Sequence, residues 1–168
     1  DRIGTVVPQE YLDAIEPYIP IHNGYYPPKV EGQFLMSPMT LVYSSGGGYN
    51  PGDVFGDLRL MFYNQDMKNN TLDYIEAQAS SSATGTGAFI SGEGNDFTIF
   101  FNTEGVIHYS DYDINTKQAL ILSGTKTSDG IKDLYYAFVL VDKSDDPKIA
   151  DIMPYKSRND IFKDKLSA

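Results

Sequence analysis

The chain of 168 residues contains no cysteine and no tryptophan, and basic residues are scarce in it. Without cysteine it can form neither disulfides nor thiolate sites, so the fold must rest on a buried core, which a chain of this length can supply. The 13 Lys and Arg residues stand against 23 Asp and Glu residues, which gives a formal net charge of −10. Because that charge repels a phosphate backbone, we expect no nucleic-acid partner.

Long hydrophobic runs are missing as well. The longest apolar runs, such as residues 135–141, are far shorter than the roughly 20 residues that cross a bilayer as a helix. Asp1 does not resemble the start of a signal peptide, so we expect that any export leader has been removed or never existed. The length predicts a single domain over residues 1–168.

Short β-type runs separated by turn residues fill the middle of the chain. The eight runs are residues 31–45, 54–65, 71–80, 87–92, 97–101, 106–110, 118–123 and 134–141. Their connections are short and contain no helical pattern, so the sheet should be antiparallel. Several runs are apolar on both faces, which favours closure into a barrel. We therefore predict an all-β, eight-stranded antiparallel up-and-down barrel over residues 31–142, with a two-sheet sandwich as the alternative.

The N-terminal residues carry a different pattern. Leu12 and Ile15 lie at helical spacing after Pro8, which predicts a short amphipathic helix. Prolines then recur over residues 20–28 and predict an extended segment, because proline fixes φ and disfavours helix before it. We therefore interpret residues 1–30 as a helix and a proline-rich leader.

The residues after the last predicted strand show short apolar groups at 149–153 and 160–166. Their spacing indicates two short helical segments. The sequence therefore predicts a C-terminal helical tail over residues 143–168 that packs on the barrel.

Residues suited to catalysis or metal binding are few. His22 and His108 are the only histidines, and neither has partners at the spacing of a hydrolase triad or a zinc site. Residues 111–115 begin like a calcium loop, but Thr116 stands where glycine is needed and Leu122 where a bidentate glutamate is needed. We therefore predict no metal, no cofactor and no catalytic residue.

These absences favour a binding protein over an enzyme. We expect a small apolar or amphipathic ligand, held in the barrel or at its mouth. One alternative is a structural or interaction module whose barrel is filled by side chains. A second is a hydrolase that uses carboxylates such as Asp57, Glu76 or Asp111.

The candidate ligand-binding residues combine aromatic bulk with a few polar groups on one strand face, directed into the barrel. They are Arg59, Met61, Tyr63, Tyr74, Glu76, Phe101 and Tyr136. A slip of one residue in strand register would invert this assignment. The abundant Tyr and Phe side chains could also fill the interior outright.

Residues 27–38, then 41–45, and later 90–99, resemble the calycin-like or lipocalin-like lipoproteins that Gram-negative gut bacteria export. The Gly-Gln-Phe at 32–34 is similar to the lipocalin Gly-x-Trp. The Ser-Asp-Tyr at 110–112 is similar to the lipocalin Thr-Asp-Tyr and falls between the sixth and seventh predicted strands. The resemblance implies an eight-stranded barrel without enzymatic activity, located in the periplasm or at the outer-membrane surface. It also implies that the only membrane contact is a lipid anchor on a cysteine that this chain lacks.

Overall fold

The structure is a computed structural model, and it describes residues 9–46, 48–79, 81–108, 113–143 and 158–164. They form one helix and ten strands. The helix α1 spans Gln9–Ile15, and the strands are β1 Gly32–Met36, β2 Met39–Ser44, β3 Val54–Phe55, β4 Leu58–Asp66, β5 Thr71–Gln78, β6 Ser81–Glu93, β7 Asp96–His108, β8 Asp113–Thr127, β9 Gly130–Lys143 and β10 Arg158–Asp164.

All ten strands belong to one sheet, in the order β1-β4-β5-β6-β7-β8-β9-β10-β2-β3. Every pairing between neighbouring strands is antiparallel. From β4 to β10 each strand pairs with the next one along the chain, as expected where connections are too short for crossovers. The predictions of an all-β fold and an antiparallel, barrel-like sheet are confirmed.

β1 stands at one end of this order and β2 and β3 at the other, yet β1 to β4 form one hairpin whose two arms are each interrupted once. Two residues separate β1 from β2, and two separate β3 from β4. β1 pairs with β4 and β2 pairs with β3 in a single unbroken register, as Met36 opposite Leu58 and Met39 opposite Phe55 show. Because β2 also pairs with β10 on its other side, the sheet must curl back toward its own beginning.

The structure corrects the predicted strand count, since the described residues form ten strands and not eight. The predicted runs 31–45 and 54–65 are each divided in two. The predicted runs 97–101 and 106–110 instead merge into β7, because residues 96–108 pair with β8 without a break. The Ser-Asp-Tyr at 110–112 lies outside the described residues.

The prediction of a C-terminal helical tail is wrong for residues 158–164, which form β10 and pair with both β9 and β2. Ile161 is buried in the cluster on one face of the sheet, and Phe162 in the cluster on the other. A pair of adjacent apolar residues does not distinguish helix from strand, so the tertiary pairing decides. The predicted helical segment at 149–153 lies outside the described residues.

The sheet buries apolar side chains on both faces. The inner cluster draws on strands from β1 to β10 and includes Met36, Leu60, Phe62, Tyr74, Ile99 and Leu122. On the outer face, Leu12, Ile15 and Ile19 pack against strands β7 to β10. The predicted N-terminal helix is therefore confirmed as α1, and its buried side covers one part of the outer face.

The leader after α1 crosses the outer face on a row of hydroxyl groups. Ser91, Thr98 and Ser123 oppose one another across β6, β7 and β8. Ser123 Oγ donates to the Pro20 carbonyl at 2.6 Å, the His22 N–H donates to Thr98 Oγ1 at 2.8 Å, and Ser91 Oγ donates to the His22 carbonyl at 2.7 Å. The predicted extended leader is confirmed, and side chains of the sheet fix its path.

Further along, the leader makes backbone contact with β6 at Gly92. The Gly92 N–H donates to the Gly24 carbonyl at 3.2 Å, and the Tyr26 N–H donates to the Gly92 carbonyl at 3.1 Å. Both glycines have positive φ, 140° at Gly24 and 153° at Gly92. A Cβ on either one would collide with backbone oxygen. Glycine is therefore required on both sides of this contact.

Candidate functional site

A carboxyl group lies inside the curled sheet. In β5 the buried side chains alternate as Leu72, Tyr74 and Glu76, which places Glu76 on the inner face. Tyr74 donates its hydroxyl proton to Glu76 Oε2 at 2.9 Å, and Tyr136 on β9 donates to Oε1 at 3.1 Å. Each carboxyl oxygen therefore has a tyrosine donor.

Burial decides the ionisation of this group. It raises the pKa of Glu76 from 4.5 to about 7, and the hydrogen bonds from Tyr74 and Tyr136 only partly oppose that rise. Burial also raises the pKa of Tyr74 well above its usual value, with a further contribution from the charge of Glu76. Near neutral pH the carboxyl group is therefore divided between its two forms, while the Tyr74 hydroxyl stays protonated and able to donate.

Aromatic rings occupy the space around the carboxyl group. The Tyr74 and Phe101 ring centroids are 4.5 Å apart, and those of Tyr136 and Phe162 are 6.0 Å apart. Successive ring contacts continue in both directions and connect, in order, Tyr49, Phe55, Phe162 and Tyr136 on one side of Glu76, and Tyr74, Phe62 and Phe34 on the other. In the described part of the chain, the interior around Glu76 is therefore packed with side chains.

The structure brings four of the seven predicted ligand-binding residues together. Tyr74, Glu76, Phe101 and Tyr136 are all buried on the inner face. Hydrogen bonds and ring contacts join them into one group. The sequence predicts these residues from their mixture of aromatic and polar side chains, and the buried group has the same mixture.

The other three predicted residues, Arg59, Met61 and Tyr63, lie on the outer face. β4 alternates so that its buried residues, such as Phe62, face inward. Phe62 is opposite Tyr74 in the β4–β5 register, and residues that oppose each other point to the same side of a sheet. The expectation that all seven side chains share one face is therefore wrong. The side chains of β4 that share the face of Tyr74 are Leu60 and Phe62, each one residue away from those expected.

Arg59 and Met61 lie instead in a groove of about 400 Å³ on the outer face of β1, β4 and β5. Its outward side chains form two cross-strand rows, with Leu35, Arg59 and Ala77 in one row and Gln33, Met61 and Ile75 in the other. Leu35 is 43% exposed, which is high for a leucine in a strand. Arg59 is exposed and forms no ion pair with a carboxylate among the residues that the structure describes.

A second cleft, of about 580 Å³, lies between β1 and the turn that joins β8 to β9. Lys126 borders it, donates from Nζ to the Thr127 carbonyl at 2.7 Å and lies 5.9 Å from the centre of the Phe34 ring. The lysine is therefore engaged within the protein. The sequence predicted neither cleft as such, although Gln33 and Phe34 border both of them and the predicted residues Arg59 and Met61 line the smaller one.

The carboxylates considered for hydrolysis do not meet in the described structure. Asp57 is exposed and accepts a hydrogen bond from Ser37 Oγ at 2.6 Å, whereas Glu76 is enclosed within the sheet. These two carboxylates do not face each other across one cleft, and Asp111 lies outside the described residues. Within those same described ranges, no group of three or more His, Asp or Glu side chains could hold a metal ion.

No protein-family model, curated protein or solved structure matches this chain. Among the described residues, no helix has the length and apolar character needed to span a membrane.

Proposed function

We propose that this protein is a non-enzymatic exported lipoprotein that binds a small apolar or amphipathic ligand in the outer groove on β1, β4 and β5. The observation that supports this most strongly is the groove itself. Its volume of about 400 Å³ falls in the range of about 300–1,000 Å³ that small-molecule sites occupy. Its lining combines apolar side chains with one cation, Arg59, and one amide, Gln33, whereas the interior near Glu76 is packed with side chains.

The proposal also interprets the sheet as an eight-stranded up-and-down barrel of the calycin or lipocalin type. If β1 with β2, and β3 with β4, are each taken as one interrupted strand, eight strands remain. Each of the eight pairs with the next, and β10 also pairs with β2. These pairings support the interpretation and agree with the resemblance of the segment at 27–38. Export and lipid anchoring rest on that resemblance alone, and fractionation of cells expressing the full-length gene would test them.

Calorimetric titration with dodecanol, below the concentration at which it aggregates, tests the proposed site. We expect the native protein to bind one equivalent and Leu35→Asn to bind about fivefold more weakly, since half-exposed leucine surface is lost from the contact. Val54→Asn is the matched control, because Val54 is 62% exposed and lies outside the groove. No binding by the native protein, or equal effects of the two substitutions, would refute the proposal.

A second candidate is a structural or interaction module of the cell envelope whose barrel is filled. The ring series from Tyr49 to Phe34 favours it, because close-packed aromatic side chains leave little interior space for a ligand. This candidate predicts that no apolar probe binds and that truncating the interior rings only lowers stability.

A further inference from the structure

We infer that the outer groove takes an amphipathic anion, an apolar chain that ends in a carboxylate, and that Arg59 binds the carboxylate. This inference rests on the proposed function and narrows it to a chemical class.

The arrangement of the groove separates a charged part from an apolar part. Arg59 stands in the row with Leu35 and Ala77. Met61 and Ile75 lie in the next row, beside Gln33, about 7 Å further along the strands, because two strand residues span that length. A bound molecule can therefore place its head group at Arg59 while its chain covers Met61 and Ile75.

Arg59 has no internal carboxylate partner in the described structure, although the chain has 23 acids. Two acids near the ends of the same strands accept hydrogen bonds from other groups. Asp57 accepts from Ser37 Oγ at 2.6 Å, and Asp73 accepts from Asn64 Nδ2 and from the Gly87 N–H, each at 3.0 Å. A guanidinium group flanked by apolar side chains is suited to the two parallel hydrogen bonds that a carboxylate accepts.

The same features argue against other ligand charges. A cationic head group would be repelled by Arg59, and a neutral one would leave the guanidinium without a charged partner. Apolar lining alone would accept any chain of suitable size, so the charge at Arg59 is what distinguishes among ligands. The anion is thus the class for which both parts of the groove have a function.

The experiment is a set of calorimetric titrations with dodecanoate, dodecanol and dodecyltrimethylammonium, each below its micelle concentration. The native protein should bind dodecanoate roughly fivefold more tightly than dodecanol, the size expected for an exposed ion pair, and the ammonium compound most weakly. Arg59→Gln should bind dodecanoate and dodecanol alike. Lys132→Gln removes an equal charge at an exposed site outside the groove and should retain the native preference.

Each other result would contradict this inference in a recognisable way. Equal binding of dodecanoate and dodecanol, unchanged in Arg59→Gln, would refute the anion while leaving the proposed function intact. Absence of binding by all three probes would refute both. Light scattering on the same samples tests whether a second copy of the chain occupies the groove. A native dimer that Leu35→Asn dissociates would show that it does.

Discussion

The Tyr136 hydroxyl donates to Glu76 Oε1 at 3.1 Å, although β9 and β5 are separated in the sheet by β6, β7 and β8. Neighbouring strands lie about 4.8 Å apart, so a flat sheet would hold these two residues nearly 20 Å from each other. The hydrogen bond therefore requires the curl that brings opposite inner walls together. It also places an ionisable group in the aromatic interior, where its charge is costly.

Substitution of Glu76 tests the electrostatics of the interior. Because burial raises its pKa from 4.5 to about 7, the folded protein holds this proton more tightly than the unfolded chain. The resulting stabilisation is fully present below about pH 4.5 and is lost as the pH rises through about 7. Glu76→Gln does not titrate, so its stability relative to the native protein should increase by up to about 3 kcal/mol between pH 4.5 and pH 8.

Urea unfolding of both proteins across that pH range measures the difference. Glu93→Gln, at an exposed position, is the control and should follow the native protein at every pH. A constant difference between native protein and Glu76→Gln would show that the pKa of Glu76 is the same in the folded protein and in the unfolded chain.

Truncation of two tyrosines separates a filled interior from an open one. Tyr136 is 6% exposed and its ring packs on Phe162, so Tyr136→Ala should lower the free energy of unfolding by about 3–5 kcal/mol. Tyr63 is only partly buried on the outer face, and Tyr63→Ala should lower it by about 1 kcal/mol. Similar, small losses in both variants, measured by urea unfolding, would instead indicate an open pocket around Tyr136.

Gly92 tests the attachment of the leader to the sheet. A Cβ there would approach the Phe97 Cα to 2.9 Å, at a φ of 153°. We expect Gly92→Ala to lower stability by more than about 2 kcal/mol and to increase hydrogen exchange at the Tyr26 amide, which donates to Gly92. Gly56→Ala is the control, since a Cβ at Gly56 meets nothing within 4 Å. Equal effects of the two substitutions would contradict this attachment.

β4 shows which parts of the fold the sequence could predict. The alternation of Leu58, Leu60 and Phe62 with outward residues predicts the two faces of β4, and the structure confirms them. Which face of β5 adjoins each face of β4 depends on register, which a single sequence does not fix. For this reason the prediction assigns Arg59 to the same face as Tyr74, whereas in the structure Phe62 shares that face and pairs with Tyr74.

The remaining differences arise from contacts between distant parts of the chain. Residues 102–105 carry turn-forming residues, yet they continue β7 because β8 pairs with them throughout. Glu76 and Tyr136 are 60 residues apart, so no local pattern predicts their hydrogen bond. The outer groove likewise exists only once β1 has paired with β4.

Methyl-labelled methionine NMR during a titration with dodecanol tests the central claim most directly. Met61 borders the outer groove, whereas Met36 and Met39 are buried in the inner cluster. Met67, which is 52% exposed outside the groove, reports on nonspecific contact. Binding in the outer groove predicts a saturable shift of the Met61 methyl signal while the other three signals stay in place. A shift of the Met36 or Met39 signals with Met61 unchanged would place the ligand inside the curled sheet and contradict the proposed site.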